Sequence, residues 1–381
     1  MRALARWLSI VLTVGAAALA ALVVLPAPTQ PLAFLAVLVD EKTPALALAA
    51  FAGLVLSRYG GSRRWMVAQA FFTGAIAIVA AIPLVQAGRL ASERHAPLDL
   101  GRYLTAWPDT APARPASTVK YATVDGVALA LDVYRPAVAG RVPAIVVVHG
   151  GGWSAGDKGE APRASAWLAA HGFAVFDVQY RLAPPPSWRA AVGDVKCAVG
   201  WVKRHARDAG VDVDPERVTL LGRSAGGHLA LLAAYAPDDP ELPASCDAGD
   251  TRVASVISYY GLTDLPSAWD HPTNPRVFDT RARIGNYAGG TPATQPTRLA
   301  ALSPAQRLTR TAPPTLLVHG GRDQIVRVEQ STLLDGKLAA LGVPRETLVI
   351  PYAQHAFDFI AGGLGAQLAE DAVLRFVHAT R

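Results

Sequence analysis

The sequence predicts an α/β domain, a mostly parallel sheet with helices on both faces, preceded by a helical transmembrane segment. Two observations predict it. Short β-branched runs alternate with amphipathic stretches from residue 119 onward, and residues 1–88 are dominated by Ala, Leu, Val and Ile. Such strand–helix alternation is typical of a parallel sheet covered by helices. We therefore divide the chain into membrane helices at 1–88, a linker at 89–118 and a folded domain at 119–381.

The composition distinguishes the two parts of the chain and excludes one class of partner. Overall, 51% of the residues are apolar and 17% are charged, against about 25% charged in typical soluble domains. This charge deficit is concentrated between residues 7 and 86. The net charge is +6, but the arginines of the folded domain are scattered, so no nucleic-acid partner is predicted.

Apolar runs at 7–25 and 65–85 are each long enough to cross a hydrocarbon core about 30 Å thick as a helix. A shorter run at about 43–56 is interpreted as a third crossing, and Asp40-Glu41-Lys42 separates it from an apolar stretch at 32–39. The sequence therefore predicts three membrane helices within 1–88, with the lipid bilayer as a partner.

The placement of charge favours three crossings. They put five arginines on the cytoplasmic side, as the positive-inside rule requires, and Asp40 and Glu41 outside. The five are Arg2, Arg6, Arg58, Arg63 and Arg64. The protein would then be a multi-pass protein of the cell membrane with its folded domain extracytoplasmic. Two crossings would leave that domain in the cytoplasm, and a cleaved signal peptide would release it, although the second long run argues against release.

The chain has two cysteines, Cys197 and Cys246, both in the folded domain. An exported domain would allow a disulfide between them, whereas a cytoplasmic domain would keep them as thiols. Both alternatives stay open, because the sequence does not show how close their Cα atoms are.

The folded domain begins with a hairpin at 119–124 and 128–134, since Asp125-Gly126 is a typical hairpin turn. The continuous apolar run at 142–149 indicates a strand covered on both faces. The other predicted strands are 173–180, 218–221, 253–259, 315–319 and 347–350, and the predicted helices are 161–171, 188–209, 225–235, 328–341 and 364–379. Residues 264–311, rich in Pro, Thr and Arg, interrupt this alternation and are interpreted as a cap or irregular wall.

Gly222-Arg223-Ser224-Ala225-Gly226 follows the strand 218–221 and opens a helix. The pattern G-x-S-x-G in a strand–turn–helix setting is that of a nucleophile elbow, in which serine occupies a strained turn. Small residues two positions to either side let the strand and the helix approach. An ordinary glycine-rich turn is the alternative, and the context makes the elbow the better interpretation.

His149-Gly150-Gly151-Gly152-Trp153 follows the strand 142–148. Three glycines allow backbone N–H groups to turn inward, and together with the N–H of Ala225 they would form an oxyanion hole. A flexible glycine turn would be the default interpretation if the elbow were absent.

Asp323 and His355 each lie on a loop directly after a predicted strand, and the chain order Ser224, Asp323, His355 is the order that this arrangement requires. His355 would remove the proton of Ser224, and Asp323 would orient the imidazole. The rival bases His149, His228 and His319 have better structural interpretations. Asp264 and Asp358 are less favoured substitutes for the acid. No His or Cys pair has metal-ligand spacing and no loop has phosphate-binding chemistry, so neither metal nor cofactor is predicted.

From about residue 119 onward the chain resembles the α/β-hydrolase esterases, specifically bacterial carboxylesterases akin to hormone-sensitive lipase and feruloyl esterases. The motifs that carry the resemblance are His149–Trp153, Gly156-Asp157-Lys158, Tyr180–Pro184, Asp194-Val195-Lys196, Gly222–His228, Tyr260–Leu265 and the loops of Asp323 and His355. The resemblance implies Ser224, Asp323 and His355 as the triad, and the N–H groups of Gly151, Gly152 and Ala225 as the oxyanion hole.

Two departures from the family pattern bear on the substrate. Arg223 stands where these esterases often have an acidic or small residue, and it adds positive charge near Ser224. The helical cap that relatives of hormone-sensitive lipase build before their first strand has no counterpart, because the membrane segment and the linker occupy that place.

The function predicted from the sequence is that of a membrane-anchored serine carboxylesterase acting on small-molecule esters with short acyl chains, through an acyl-enzyme. A serine peptidase of the prolyl-oligopeptidase kind is the alternative, and a catalytically inactive binding protein on this fold is less favoured. The oligomeric state is left open.

Overall fold

The computed structural model describes residues 1–105, 107–108 and 113–380. Its N-terminal part is helical, and an α/β domain follows. The N-terminal helices are α1 (Arg2–Val24), α2 (Gln30–Glu41), α3 (Thr43–Gly60) and α4 (Arg63–Arg94). Helices α1, α3 and α4 pack against one another, and both α2 and α4 also contact the α/β domain.

Polar side chains and glycines join the three long helices. Gln69 of α4 accepts a hydrogen bond from Thr13 Oγ1 of α1 at 2.6 Å and donates one to Ser9 Oγ at 2.9 Å. A Cβ atom at Gly53 of α3 would lie 2.6 Å from Thr13 Oγ1, so α1 and α3 can approach this closely only with glycine there. Small residues and interhelical polar contacts are typical of helices packed within a membrane.

Two helices in the described part of the chain, α1 and α4, are long and apolar enough to cross a membrane by length and composition. Helix α3, which contains the predicted run 43–56, has 18 residues. The outer surface of the three helices carries large exposed apolar side chains, which are Leu4, Trp7, Val11, Val14, Leu48, Phe51, Val67, Phe71, Phe72 and Ile78. Three crossings remain a prediction.

The boundary between the predicted membrane segment and linker differs from the structure. Helix α4 continues past residue 88 to Arg94, because Ala87, Leu90 and Ala91 are buried against the α/β domain and Arg94 Nη1 lies 2.7 Å from Glu346 Oε1. A short helix, α5 (Leu100–Thr105), follows. Of the predicted linker, residues 106 and 109–112 lie outside the described residues.

The α/β domain is built on a mostly parallel sheet, as predicted. In the described part of the chain the sheet has eight strands in the order β2-β3-β5-β4-β6-β7-β8-β9. The pairs β2–β3 and β3–β5 are antiparallel and the other neighbours are parallel. The strands are β1 (Trp107–Pro108), β2 (Ser117–Val124), β3 (Val127–Tyr134), β4 (Val142–Val148), β5 (Ala174–Val178), β6 (Val213–Arg223), β7 (Ser255–Tyr259), β8 (Thr315–Gly320), β9 (Arg345–Ile350) and β10 (Ile360–Ala361), and β1 pairs with β10 outside this sheet.

Helices cover both faces of the sheet. Successive residues of β4 point to opposite faces, as in any strand, so Val146 packs in one hydrophobic core while Ile145 and Val147 pack in the other. The remaining helices are α6 (Pro162–Ala170), α7 (Trp188–His205), α8 (Ala225–Tyr235), α9 (Leu265–Asp270), α10 (Thr280–Ala288), α11 (Pro296–Ala301), α12 (Pro304–Arg307), α13 (Glu329–Leu341) and α14 (Leu364–Ala379). Helices α7, α8 and α13 contribute to the first core, and α6, α14 and the end of α4 contribute to the second.

Residues 264–311 form the short helices α9–α12 rather than an irregular wall. Cys197 of α7 is joined to Cys246 by a disulfide, with the two Cα atoms 5.6 Å apart. The bridge ties the loop after α8 to the helix that covers one face of the sheet.

Candidate active site

Ser224 lies on a strained turn between β6 and α8. Its φ of +54° and ψ of −119° lie outside the regions that non-glycine residues ordinarily adopt. A Cβ atom at Gly222 would lie 2.1 Å from the carbonyl oxygen of Gly226, and one at Gly226 would lie 2.1 Å from that of Val148. Both glycines are therefore required for the serine to project from the end of the sheet, as the predicted nucleophile elbow demands.

Asp323 lies on the loop after β8, where hydrogen bonds fix both of its oxygens. Oδ1 accepts from the backbone N–H groups of Ile325 and Val326 at 2.8 and 2.9 Å, and Oδ2 lies 2.6 Å from His355 Nδ1. Burial of this carboxyl group favours its neutral form. The neighbouring His355 and His319 outweigh burial and hold the pKa of Asp323 well below its usual range. The side chain is therefore an ionised partner for His355.

His355 lies on the loop after β9, and its ring packs against that of Tyr260, with the centroids 4.2 Å apart. Because Asp323 accepts the proton on Nδ1, Nε2 is left as the basic nitrogen. His355 and Ser224 line the same cavity. The structure thus brings together the three residues that the sequence predicted as a triad.

The rival histidines have structural partners. His228 Nδ1 accepts from the indole of Trp153 at 3.2 Å, and His228 Nε2 lies 2.8 Å from the carbonyl oxygen of Leu302. Burial lowers the pKa of His228 to about 4, so it is a neutral core residue. Burial likewise lowers the pKa of His149, the first residue of the glycine loop, to about 4. Its ring stacks on that of Tyr180, with the ring centroids 4.2 Å apart.

The substitute acids are also committed elsewhere. Asp264 Oδ1 accepts from the N–H of Ser267 at 2.9 Å and so caps α9. Asp358 Oδ2 lies 2.6 Å from Arg223 Nε, in a contact that is almost completely buried. This ion pair also changes the expected effect of Arg223 on the site. The positive charge that the sequence places next to Ser224 is balanced by a carboxylate.

The glycine loop after β4 presents backbone donors to the cavity. Gly151 and Gly152 have φ values of +98° and +59°, and a Cβ atom at Gly151 would lie 2.0 Å from the carbonyl oxygen of Ala155. The N–H of Gly150 donates to Glu160 Oε2 at 2.9 Å. Within the described residues, the N–H groups of Gly151 and Gly152 donate to no protein acceptor. They are therefore free to bind an anionic oxygen of a ligand.

A cavity of about 610 Å³ opens at Ser224 and His355. Its lining is mainly apolar and includes one face of α2, which comprises Gln30, Phe34, Leu35, Val37 and Leu38, together with Phe278, Ile325, Phe359 and Ile360. The expectation that nothing before the first strand replaces a cap is therefore wrong, because an N-terminal helix forms a wall of the cavity. Among the described residues, no group of three or more His, Cys, Asp or Glu side chains is arranged to hold a metal ion.

Helix α2 is fixed to the α/β domain at both ends. At its start, the N–H of Gln30 donates to the carbonyl oxygen of Arg276 at 3.1 Å. At its end, Glu41 Oε1 accepts from the Tyr352 hydroxyl and the Gly365 N–H at 3.1 and 3.2 Å. This role was not predicted from the sequence, although the apolar residues at 34, 35, 37 and 38 have the spacing of one helix face.

Comparison with known proteins agrees with this geometry. A profile of the BD-FAE family matches residues 131–338. LipM and the esterase LipC, both from Mycobacterium tuberculosis (strain ATCC 25618 / H37Rv), are 31% and 33% identical to the chain over 266 and 246 residues. The alignments cover 66% and 62% of this chain and 59% of each relative. The chain thus spans about three-fifths of the length of these curated relatives.

Similar solved structures include the thermophilic esterase Est2 of Thermogutta terrifontis. Its propionate-bound form has a TM-score of 0.56 and 27% identity, with 69% of this chain and 96% of that chain covered. Its butyrate-bound form has a TM-score of 0.54 and 26% identity, with 68% and 94% covered. Since the residues matched by the family profile make up more than half of the sequence and include both Ser224 and Asp323, the chain belongs to the BD-FAE family of feruloyl-esterase-like proteins with the α/β-hydrolase fold.

Proposed function

We propose that the protein is a serine carboxylesterase that acts through an acyl-enzyme. One observation carries the proposal: Ser224 occupies the strained turn of a nucleophile elbow and shares a cavity with His355, whose Nδ1 lies 2.6 Å from the ionised Asp323. The esterase names of LipC and of the Thermogutta protein support the same reaction class.

In the proposed mechanism, Ser224 Oγ attacks the ester carbonyl carbon while His355 Nε2 takes its proton. The N–H groups of Gly151, Gly152 and Ala225 stabilise the negative charge that develops on the carbonyl oxygen. Collapse of this intermediate breaks the bond to the alcohol, which leaves with the proton from His355. Water, deprotonated by His355, then attacks the acyl-enzyme, and the carboxylic acid leaves as Ser224 regains its proton.

The acyl group of the preferred ester is proposed to be short. The propionate and butyrate complexes of the Thermogutta esterase support this, because they contain acids of that size. The apolar lining contributed by Phe34, Leu38 and Phe359 supports a substrate with an uncharged aliphatic or aromatic portion.

We also propose that α1, α3 and α4 anchor the enzyme in a membrane and that the α/β domain is extracytoplasmic. The exposed apolar surface of these helices and the hydrogen bonds of Gln69 with Ser9 and Thr13 support the anchor. The disulfide between Cys197 and Cys246 supports an oxidising compartment for the folded domain.

Initial rates on p-nitrophenyl esters from acetate to palmitate test the reaction. They would be measured with the full chain in detergent and with Ser224→Ala, whose fold is checked by circular dichroism. Hydrolysis of the short esters that is lost in Ser224→Ala would support the proposal. No hydrolysis of any ester by the folded wild-type protein would refute it.

The placement of the domain is tested separately by fusing alkaline phosphatase, which is active only after export, to the C-terminus. An active fusion would support an extracytoplasmic α/β domain, as three crossings require. An inactive fusion that is present at normal amounts would place the α/β domain in the cytoplasm.

A further inference from the structure

Arg283 is a cation in the active-site cavity, and among the described residues it has no carboxylate partner. It belongs to α10 and lines the cavity with Ser224 and His355. Its Nη1 donates to the hydroxyl of Ser154. Within the described residues, no Asp or Glu oxygen lies within 4.0 Å of its guanidinium nitrogens, whereas the neighbouring Arg223 is paired with Asp358.

The position of Arg283 is built into the fold. Asp279 Oδ1 accepts from the N–H of Ala282 at 3.0 Å and so caps α10. One turn further along α10, Tyr287 stacks on Trp153 of the glycine loop, with the ring centroids 4.6 Å apart. A Cβ atom at Gly152 would lie 3.3 Å from Arg283 Cδ, so the arginine side chain passes directly beside the loop.

Glu160, an acidic residue that lines the same cavity, already accepts a hydrogen bond from the protein. Glu160 Oε2 accepts from the N–H of Gly150 at 2.9 Å, and burial raises the pKa of its carboxyl group, which disfavours a negative charge there. Arg283 therefore supplies positive charge to the cavity, and its remaining guanidinium donors have no carboxylate to bind in the part of the protein that the structure describes.

We propose that Arg283 binds an anionic group of the substrate, a carboxylate or a phosphate, so that the preferred ester carries a negative charge in addition to the scissile bond. The inference rests on the proposed esterase function. A planar guanidinium binds both groups through paired hydrogen bonds. The apolar face of α2 and the Phe278 ring, 5.9 Å from the guanidinium carbon, leave the rest of the cavity suited to an uncharged portion of the same molecule.

If Arg283 had a purely structural role, its loss would affect neutral and charged esters in a different way. Ser154 Oγ, which accepts from Arg283, also donates to the carbonyl oxygen of Gly152 at 3.2 Å. Arg283 could therefore act only by holding the glycine loop in place. Loss of that support would slow every ester alike, whereas loss of an anion-binding residue would slow charged esters selectively.

The test compares esters that differ in charge, using the full chain in detergent. One pair puts the charge on the acyl group (p-nitrophenyl valerate and mono-p-nitrophenyl glutarate), and a second puts it on the alcohol (phenyl butyrate and p-carboxyphenyl butyrate). A third pair, dibutyrylglycerol and dibutyryl phosphatidate, replaces carboxylate by phosphate. The readout is the ratio of kcat/KM for the charged ester to that for the neutral ester.

In Arg283→Gln, we expect this ratio to fall about tenfold or more in at least one pair, mainly through KM, as loss of one charge-assisted contact would cause. Arg283→Lys should restore part of it. Arg281→Gln is the matched control, because Arg281 is exposed on the same helix and contacts the carbonyl oxygen of Trp269. The pair that responds distinguishes carboxylate from phosphate.

Ratios that are the same in the wild type and in Arg283→Gln for all three pairs would overturn the inference, even if all rates fall together. If the wild type cleaves none of the six esters, charged or neutral, the proposed esterase function fails instead, so the two failures are distinguishable.

Discussion

Asp40 Oδ1 of α2 lies 3.5 Å from Arg322 Nη1, and Arg322 is the residue before Asp323 in the chain. Arg322 Nη2 also donates to the carbonyl oxygen of Leu22, near the end of α1, at 3.2 Å. A single side chain therefore joins the N-terminal helices to the loop that carries the proposed catalytic acid. Of these helices, α2 also lines the cavity itself.

Replacing the acid tests its role in orienting His355. Asp323→Asn should lower kcat on p-nitrophenyl butyrate by about 10⁴-fold, because an amide in this position favours the wrong imidazole tautomer. Steady-state kinetics of the wild type, Asp323→Asn and a control variant would measure the effect. Asp264→Asn is the control, since asparagine also caps helices well, and it should keep nearly full activity. Comparable losses in the two variants would contradict the assignment of Asp323.

The oxyanion donors can be tested through the shape of the glycine loop. In Gly151→Ala the new Cβ atom would lie 2.0 Å from the carbonyl oxygen of Ala155, so the loop must move. We expect kcat to fall about 10²- to 10³-fold, as after loss of an oxyanion donor. Gly140→Ala is matched in conformation, with φ of +93° and nothing within 4 Å of the new atom. It should cost some stability and leave kcat unchanged, and an equal fall in kcat would contradict the prediction.

The wall formed by α2 predicts an effect on substrate binding. Phe34→Ala and Leu38→Ala remove apolar surface from the cavity, and at about 25 cal/mol per Å² of contact the KM for p-nitrophenyl hexanoate should rise several-fold. The expected change for the acetate is smaller, because less of that ester reaches the wall. Leu48→Ala, on the exposed surface of α3, is the control. Unchanged KM values for all chain lengths would mean that α2 does not contact the substrate.

Glu41 predicts a pH dependence of stability. Burial raises its pKa from 4.5 to about 7, so the folded protein binds this proton more tightly than the unfolded chain does. The resulting stabilisation is present below about pH 4.5 and is lost as the pH rises through about 7. Glu41→Gln removes this dependence.

The difference between the unfolding free energies of wild type and Glu41→Gln should therefore fall by at most about 3 kcal/mol between pH 4.5 and pH 8. Thermal unfolding of both proteins in the same detergent would measure it. His149 and His228, whose lowered pKa values act in the opposite direction, are common to both proteins and cancel. A constant difference over this pH range would contradict the prediction.

The sequence by itself determined the features that depend on residues close together in the chain. The alternation of strands and helices predicted the mostly parallel sheet, because β-branched runs and helical periodicity are local patterns. The loops of Ser224, Asp323 and His355 could be recognised because each lies directly after a predicted strand, and parallel strands bring such loops to one edge of the sheet.

Tertiary structure alone decided which surfaces those local elements meet. The period of α2 marks an apolar face without naming its partner, so its place in the cavity was missed. Asp40-Glu41-Lys42 stands out in the sequence only as a charged break between two apolar stretches, and the burial of Asp40 and Glu41 is evident only in the structure. Likewise, among the described residues Arg223 has a carboxylate partner and Arg283 has none, although the sequence shows only that each side chain is positively charged. Such differences arise from contacts between residues far apart in the chain, and no local pattern records them.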